Sequence, residues 1–214
     1  MSAERVEPTG LREAKKLETR QLISDHATRL FMQQGFEATT IAEIATAARV
    51  AKKTVTNYFA RKEDLALDHH EAFSNSLAAT VAERAEGESA LAALRRAFGA
   101  ALDTRDPVAG FAGPAFSRMI ADSPTLTARL RDLHDQREHA LAHALATATD
   151  AAPGDITPRA AAAQLAAAHR LLFTRIQELT LAGHDNDHIA ATLTAEAAHV
   201  FDQLEPALAG YATR

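Results

Sequence analysis

Apolar positions recur along this chain at intervals of three and four and nowhere alternate one by one. That period lines them up on one stripe of an α-helix. Leu22, Ile23, Ala27, Leu30 and Phe31 form the first stripe, on a helix predicted over residues 11–34. Gly35 stops it, as a residue that accepts the left-handed conformation past a helix end. Thr40 and Glu43 make a T-x-x-E capping box for a second helix carrying Ile41, Ile44, Ala45 and Ala48. Val55 and Phe59, four apart, anchor a third short helix over about residues 51–59. A long helix is expected from Lys62 to about Ala85, with Glu63 and Asp64 at its positive end. Ser89 caps the next, to about Leu102, and a brief one covers about residues 115–121. Ser123 with Pro124, and Thr157 with Pro158, open helices to about Thr149 and Gly183. The last runs over about residues 187–209, kinked near Pro206. Residues 104–114 and 150–156 read as loops, and residues 1–10, with Pro8 and Gly10, as a flexible arm. The pattern describes an all-α protein of roughly nine helices.

Composition narrows the chemistry. Of 214 residues 47% are apolar, but many are Ala, which favours helices more than it thickens a core. Cysteine is absent, which excludes disulfides and thiolate metal sites. No 18-residue apolar run and no leader-like start occur, so a cytoplasmic protein without membrane contact is expected. The net charge of −5 speaks against nucleic acid until its distribution is considered. Residues 1–70 hold 11 basic against 10 acidic side chains, and the remainder 12 against 18. Arg49, Lys52, Lys53, Arg61 and Lys62 fall in one stretch that contains no acid. A local basic patch on an acidic protein suits focused DNA binding.

Residues 35–65 therefore read as two short helices joined by a tight turn, the second basic outside. In a helix-turn-helix the second helix enters the major groove while the first buttresses it. Val55 and Phe59 supply inward anchors, and Lys52, Lys53, Thr56 and Asn57 supply outward donors. Asn suits adenine and Lys suits guanine. The segment also resembles the DNA-binding domain of the TetR family of bacterial transcriptional regulators. The resemblance rests on G-F-x-x-T-T-I-x-x-I-A at Gly35–Ala45, A-x-V-x-K-x-T-V at Ala48–Val55 and Y-F-x-x-K-E-D-L at Tyr58–Leu65. Arg20, Ile23, Ala27, Leu30 and Phe31 in the preceding helix fit as well, so that it covers about residues 12–66. It implies phosphate contacts from Thr39, Thr40, Tyr58 and Lys62, and base-edge contacts from Lys53, Thr54, Thr56 and Asn57. Two positions depart from the family pattern: Arg49 stands where Gly is usual in the turn, and Ala51 where Ser is frequent. An Arg at positive φ costs roughly 1–2 kcal/mol. A missing cap costs about 0.5–2 kcal/mol.

The expected organisation is an arm (1–10), a three-helix helix-turn-helix domain (11–62) and a larger helical bundle for ligand sensing and dimerisation (63–214). Arg137 falls on the apolar stripe of Leu133 and Leu141, and His169 on that of Leu165 and Leu172. A polar group on a core face needs a partner. These two, with Phe116, Met119 and Phe173 as apolar wall, are the candidate lining for a small apolar or anionic effector; a snorkelling arginine and a satisfied core histidine are the plainer alternative. The Ala-rich run 160–168 and the stripe of Ile189, Leu193, Ala197, Val200 and Leu204, with Phe201 alongside, are the expected homodimer face. His139/His143 and His184/His188 have zinc-compatible spacing but lack H-E-x-x-H, and Glu196/His199 is a lone E-x-x-H; surface pairs are the better reading. No catalytic or metal residue and no cofactor is expected. The expected function is a repressor released from a palindromic double-stranded DNA operator by a small molecule. A constitutive DNA binder and a helical-bundle enzyme or carrier are the alternatives.

Overall fold

The computed structural model describes residues 8–214, apart from the side chains of residues 8, 9 and 11. The arm expected at residues 1–10 lies outside the described residues up to residue 7, and residues 8–10 form the first turn of a helix. Among the described residues there are eleven α-helices, one 3-10 turn and no strand. The chain divides into two compact units, one ending at Asp68 and the other spanning His69–Arg214.

The N-terminal unit holds α1 (Pro8–Gln34), α2 (Ile41–Ala47), α3 (Lys52–Tyr58) and α4 (Glu63–Ala66). Its core is made by Ile23, Ala27 and Phe31 from α1, Ile44 and Ala45 from α2, Val55 from α3 and Leu65 from α4. Phe36, in the loop after α1, packs at a tilt against Phe31 with ring centroids 5.0 Å apart. The capping box forms as the spacing predicts: Glu43 N donates to Thr40 Oγ1 at 3.2 Å, and Thr40 N donates to the Glu43 carboxylate at 2.7 Å. Ala51 heads α3 with no side-chain cap, again as expected.

The long helix expected from Lys62 to Ala85 is two helices. α4 ends at Ala66, and α5 (His70–Ala82) starts after Leu67 leaves helical geometry with ψ +54°. The side chain beside that break is committed elsewhere. Asp68 accepts from Arg20 at 2.7 Å, and the same guanidinium donates to Tyr58 O at 3.0 Å and covers the Phe59 ring at 4.3 Å. One arginine of α1 thus ties together the end of α3 and the second residue after α4.

The C-terminal unit holds α5, α6 (Ala90–Thr104), a 3-10 turn (Pro107–Ala109), α7 (Pro114–Asp122), α8 (Pro124–Ala148), α9 (Thr157–Leu181), α10 (Asn186–Asp202) and α11 (Glu205–Leu208). Leu94, Leu141, Leu145, Leu165, Ile189, Leu193 and Phe201 are sealed in one apolar core. Ser89 and Ser123 cap α6 and α8, accepting from the main-chain N–H three residues on. The α9 start differs from expectation: Asp155 accepts from both the N–H and the hydroxyl of Thr157, at 2.8 and 2.7 Å. The Thr157 hydroxyl is thereby engaged as a donor to a carboxylate, the stronger kind of hydrogen bond. The final helix does not kink at Pro206 but breaks, giving α10 and α11. Gly110, at φ +128°, lets the loop after α6 lie against α9, where a Cβ would meet Ile176 at 3.2 Å. Gln177 holds it there by donating to Gly110 O at 2.6 Å.

Candidate functional site

Two features stand out, one in each unit. In the N-terminal unit α3 follows α2 through a turn in which Arg49 holds φ +56°. Val55 and Phe59 are buried, and Lys52, Lys53, Thr56 and Asn57 all face solvent. Thr54 and Tyr58 are half-buried. Arg61, which the sequence placed only in the basic stretch, is also exposed and extends the charged surface beyond α3. This face is free of acidic side chains from Arg49 to Lys62.

Three residues expected at phosphate have other engagements. Thr39 is buried at 1% exposure, its hydroxyl donating to Gly35 O at 2.8 Å and accepting from Gln34 at 3.2 Å. Lys62 directs its ammonium inward: Nζ donates to Phe36 O at 2.9 Å and Thr39 O at 3.0 Å, with Glu37 O at 3.5 Å. It also stands over the Phe36 ring at 4.2 Å. An ammonium has three donors, so this one is fully occupied holding the α1–α2 loop. Thr40 is exposed, but its hydroxyl donates to Glu43 at 2.8 Å. These hydrogen bonds from Thr40 hold the Glu43 carboxyl below its ordinary pKa, and its negative charge sits at the start of α2.

In the C-terminal unit a cavity of about 100 Å³ lies between α5, α6, α8, α9 and the 3-10 turn. Of the residues singled out in the sequence, Arg137, His169 and Phe173 line it and Phe116 and Met119 do not. Met119 is buried elsewhere on α7 and Phe116 is half-buried. Their place is taken by Leu77, Leu94 and Phe98, with Ser76, Thr80 and Asp106 as polar company. Ser76 and Thr80 are spaced four apart on α5, a signal that was visible but unremarkable.

Arg137 is 6% exposed. Its Nε donates to Ser76 Oγ at 2.9 Å, and its guanidinium covers Phe73 at 4.6 Å. Burial draws its pKa down to about 10, opposed by the field of Asp106. His169 packs edge-on against Phe98 and Phe201, and its Nε2 is sealed without a hydrogen-bond partner. Burial, then the nearby Arg137 charge, lower it to about 3. His134, beside Phe73 and Phe173, is likewise lowered to about 4, first by burial and then by Arg137 and Arg170. Both rings are therefore neutral at physiological pH, leaving Arg137 as the cation among them.

Of the stripe expected at the homodimer face, Val200 and Leu204 are partly exposed and the rest is buried. Ile189, Leu193, Ala197 and Phe201 are buried in the unit's own core, since a single chain meets its own helices first. The exposed side of α9 and α10 instead carries Leu171, 58% exposed, beside Val200 and the Arg175–Glu196 ion pair at 3.1 Å. That pair also engages the glutamate of the lone E-x-x-H. His184 and His188 stack 4.4 Å apart, and His139 bonds Asp135 O. No group of three or more metal-ligating side chains occurs among the described residues, and no helix of these is long and apolar enough to cross a membrane.

Residues 23–68 match the family model for bacterial regulatory proteins of the tetR family. The HTH-type transcriptional regulator TcmR of Streptomyces glaucescens is 34% identical over 142 residues, 64% of this chain and 63% of that protein. The match thus spans just under two thirds of the relative's length. The GusR structure from Salmonella enterica superposes with a TM-score of 0.51 at 18% identity, covering 96% of this chain and 99% of that one. NalD of Pseudomonas aeruginosa, the secondary repressor of the MexAB-OprM multidrug efflux pump, gives 0.54 at 20% identity, covering 86% and 96%. At these identities the structures establish a shared fold.

Proposed function

We propose that this chain, whose residues 23–68 match the tetR family model, is a repressor of that family that leaves a palindromic operator when a small effector enters its C-terminal unit. The observation that carries the DNA half is the solvent-facing set Lys52, Lys53, Thr56 and Asn57 on a helix anchored by buried Val55 and Phe59. Asn57 offers a donor and an acceptor together, which suits adenine in the major groove. Lys53 and Arg61 supply charge for base or phosphate, and Tyr58 offers a hydroxyl from the end of α3. Lys62 and Thr39 serve this surface indirectly, by fixing the loop that presents α2.

The effector half rests on the cavity that holds Arg137 and His169. An effector acts only through its differential affinity for the two states. Ser76 joins Arg137 to α5, the helix that follows α4 in the chain, so a ligand at Arg137 pulls on the first element beyond the DNA-binding unit. We assign dimerisation to the exposed α9–α10 side bearing Leu171 and Val200. A dimer presents two recognition helices to one palindromic site.

Selection of binding sites from a random duplex pool tests the proposal, and should return a palindrome. On that site Asn57→Ala loses about 1–3 kcal/mol and loses little on scrambled DNA. Arg61→Ala weakens both alike and lowers the salt slope by about 1 per contact. Enrichment of no site, or equal losses for Asn57→Ala on both duplexes, refutes the assignment of α3 as the reading helix.

A further inference from the structure

The cavity of the C-terminal unit contains a cation that its own chain leaves half-used. Arg137 is 6% exposed. It has one hydrogen-bond partner, the Ser76 hydroxyl, and one ring face, Phe73. Among the described residues none offers a carboxylate within ion-pair distance of it. Asp106 lines the same cavity but is half-exposed, and its Oδ1 is spent accepting from Val108 N at 2.8 Å. The two terminal nitrogens of the Arg137 guanidinium are therefore without a protein acceptor. On another wall of the same cavity the Nε2 of His169 is sealed away with no partner at all.

Neither feature helps the chain to fold. A buried cation without its anion is costly, and a well-packed apolar side chain of similar length is the more stable choice. A buried polar nitrogen with no partner is costly for the same reason. His169 Nε2 is sealed from the cavity, but Arg137 lines it, and its terminal nitrogens mark the place where a ligand completes the hydrogen bonding.

Resting on the reading of this unit as a sensor, we propose that the effector is a small monocarboxylate whose oxygens take the two free nitrogens of Arg137 and whose compact apolar body lies against Phe98 and Phe173. The guanidinium fork matches a carboxylate in one plane, two N–H groups to two oxygens. The count of charges limits the ligand to one negative charge. Arg137 is the cation of the cavity and Asp106 stands nearby, so a dianion such as a phosphate monoester leaves a charge uncompensated in a site of low polarity. Size sets a second limit. About 100 Å³ is less than the usual range for drug-sized ligands and suits an acid of a few carbons up to one aromatic ring, the latter with a small shift of the ring walls.

Calorimetric titration of the full chain tests this with butyrate and benzoate against butyramide and benzamide, pairs alike in shape but not in charge. At least one acid should bind about tenfold or more tightly than its own amide, a difference of about 1.4 kcal/mol. Arg137→Gln removes that preference, and Arg137→Lys keeps part of it. Arg137→Gln also raises the melting temperature of the free chain, because the unpaired charge is gone; a merely structural arginine gives the opposite sign. Equal binding of acid and amide, undiminished binding of the acid to Arg137→Gln, absence of binding by both acids, or a lowered melting temperature in that variant each overturns the proposal. Failure of the regulator reading shows itself separately, as the absence of any selected DNA site for the same protein.

Discussion

Arg49 and Lys62 show how far a single residue departs from what its type suggests. Arg49 sits in the turn between α2 and α3 at φ +56°, where its Cβ crowds the following carbonyl. Arg49→Gly relieves that crowding, offset in part by the extra chain entropy of glycine. It should gain about 1 kcal/mol of stability in urea titration, and a loss means that the Arg side chain holds the turn in some other way. Lys62 is the reverse case, a lysine in a basic patch whose charge works inside the unit. Its ammonium meets the carbonyls of Phe36 and Thr39. Lys62→Met keeps the stem and strands those carbonyls, so it should cost about 1–3 kcal/mol of unfolding free energy. The DNA affinity of the folded fraction then changes less than for Arg61→Ala, and the reverse order restores Lys62 to the phosphate backbone.

Among the elements, α8 and α9 carry the most unusual seam, with His134 and Arg137 from one and His169 from the other. Both histidines are lowered by burial, from an ordinary 6.5 to about 4 and about 3. The unfolded chain therefore binds protons that the folded chain refuses. Stability is at its full value above about pH 6.5 and falls as the pH drops towards 4, with a limiting slope of about 1.4 kcal/mol per pH unit for each histidine. Replacing His169 with Leu should flatten that decline, measured by urea midpoints from neutral to mildly acidic pH; an unchanged slope means that other groups carry the acid sensitivity. The seam was legible in part. The stripe of Leu133, Leu141 and Leu145 and that of Leu165, Leu172 and Ile176 predicted the buried faces correctly, and placed Arg137 and His169 on them. Phe116 and Met119 do not line this cavity, and a loop of Pro and Gly gives no periodicity from which to place the helix beyond it. The break between α4 and α5 was invisible for another reason. No Gly or Pro marks residues 66–70, and the partner of Asp68 beside the break is Arg20, nearly fifty residues away in the chain. Capping boxes and serine caps were read directly because their hydrogen bonds are local.

Assembly belongs to the molecule as a whole, and there the sequence stripe divides: Val200 and Leu204 stay partly exposed while the rest turns inward. Ile189 and Leu193 fill the chain's own core. What α9 leaves outside is Leu171, at 58% exposure, next to Val200 and the polar pair of Arg175 and Glu196. A large aliphatic side chain at such exposure, rimmed by charge, suits a face that meets its own copy around a two-fold axis. A two-fold dimer on duplex DNA places its recognition helices about 34–36 Å apart, one turn of the double helix. Leu171→Glu then sets two carboxylates against each other across the axis while leaving the core untouched. At micromolar concentration the parent chain should scatter light as a dimer and the variant as a monomer. Since Leu171 is exposed in the single chain, the variant keeps its helical content, and its melting temperature loses only the part contributed by association. Its affinity for a half-site duplex stays that of the parent subunit, whereas its affinity for the full palindrome drops by the factor that linking two half-sites supplies, about 10²–10⁴. A parent chain that is already monomeric removes the premise of the two-fold reading. A Leu171→Glu chain that remains a dimer and binds the palindrome undiminished moves the interface to another face.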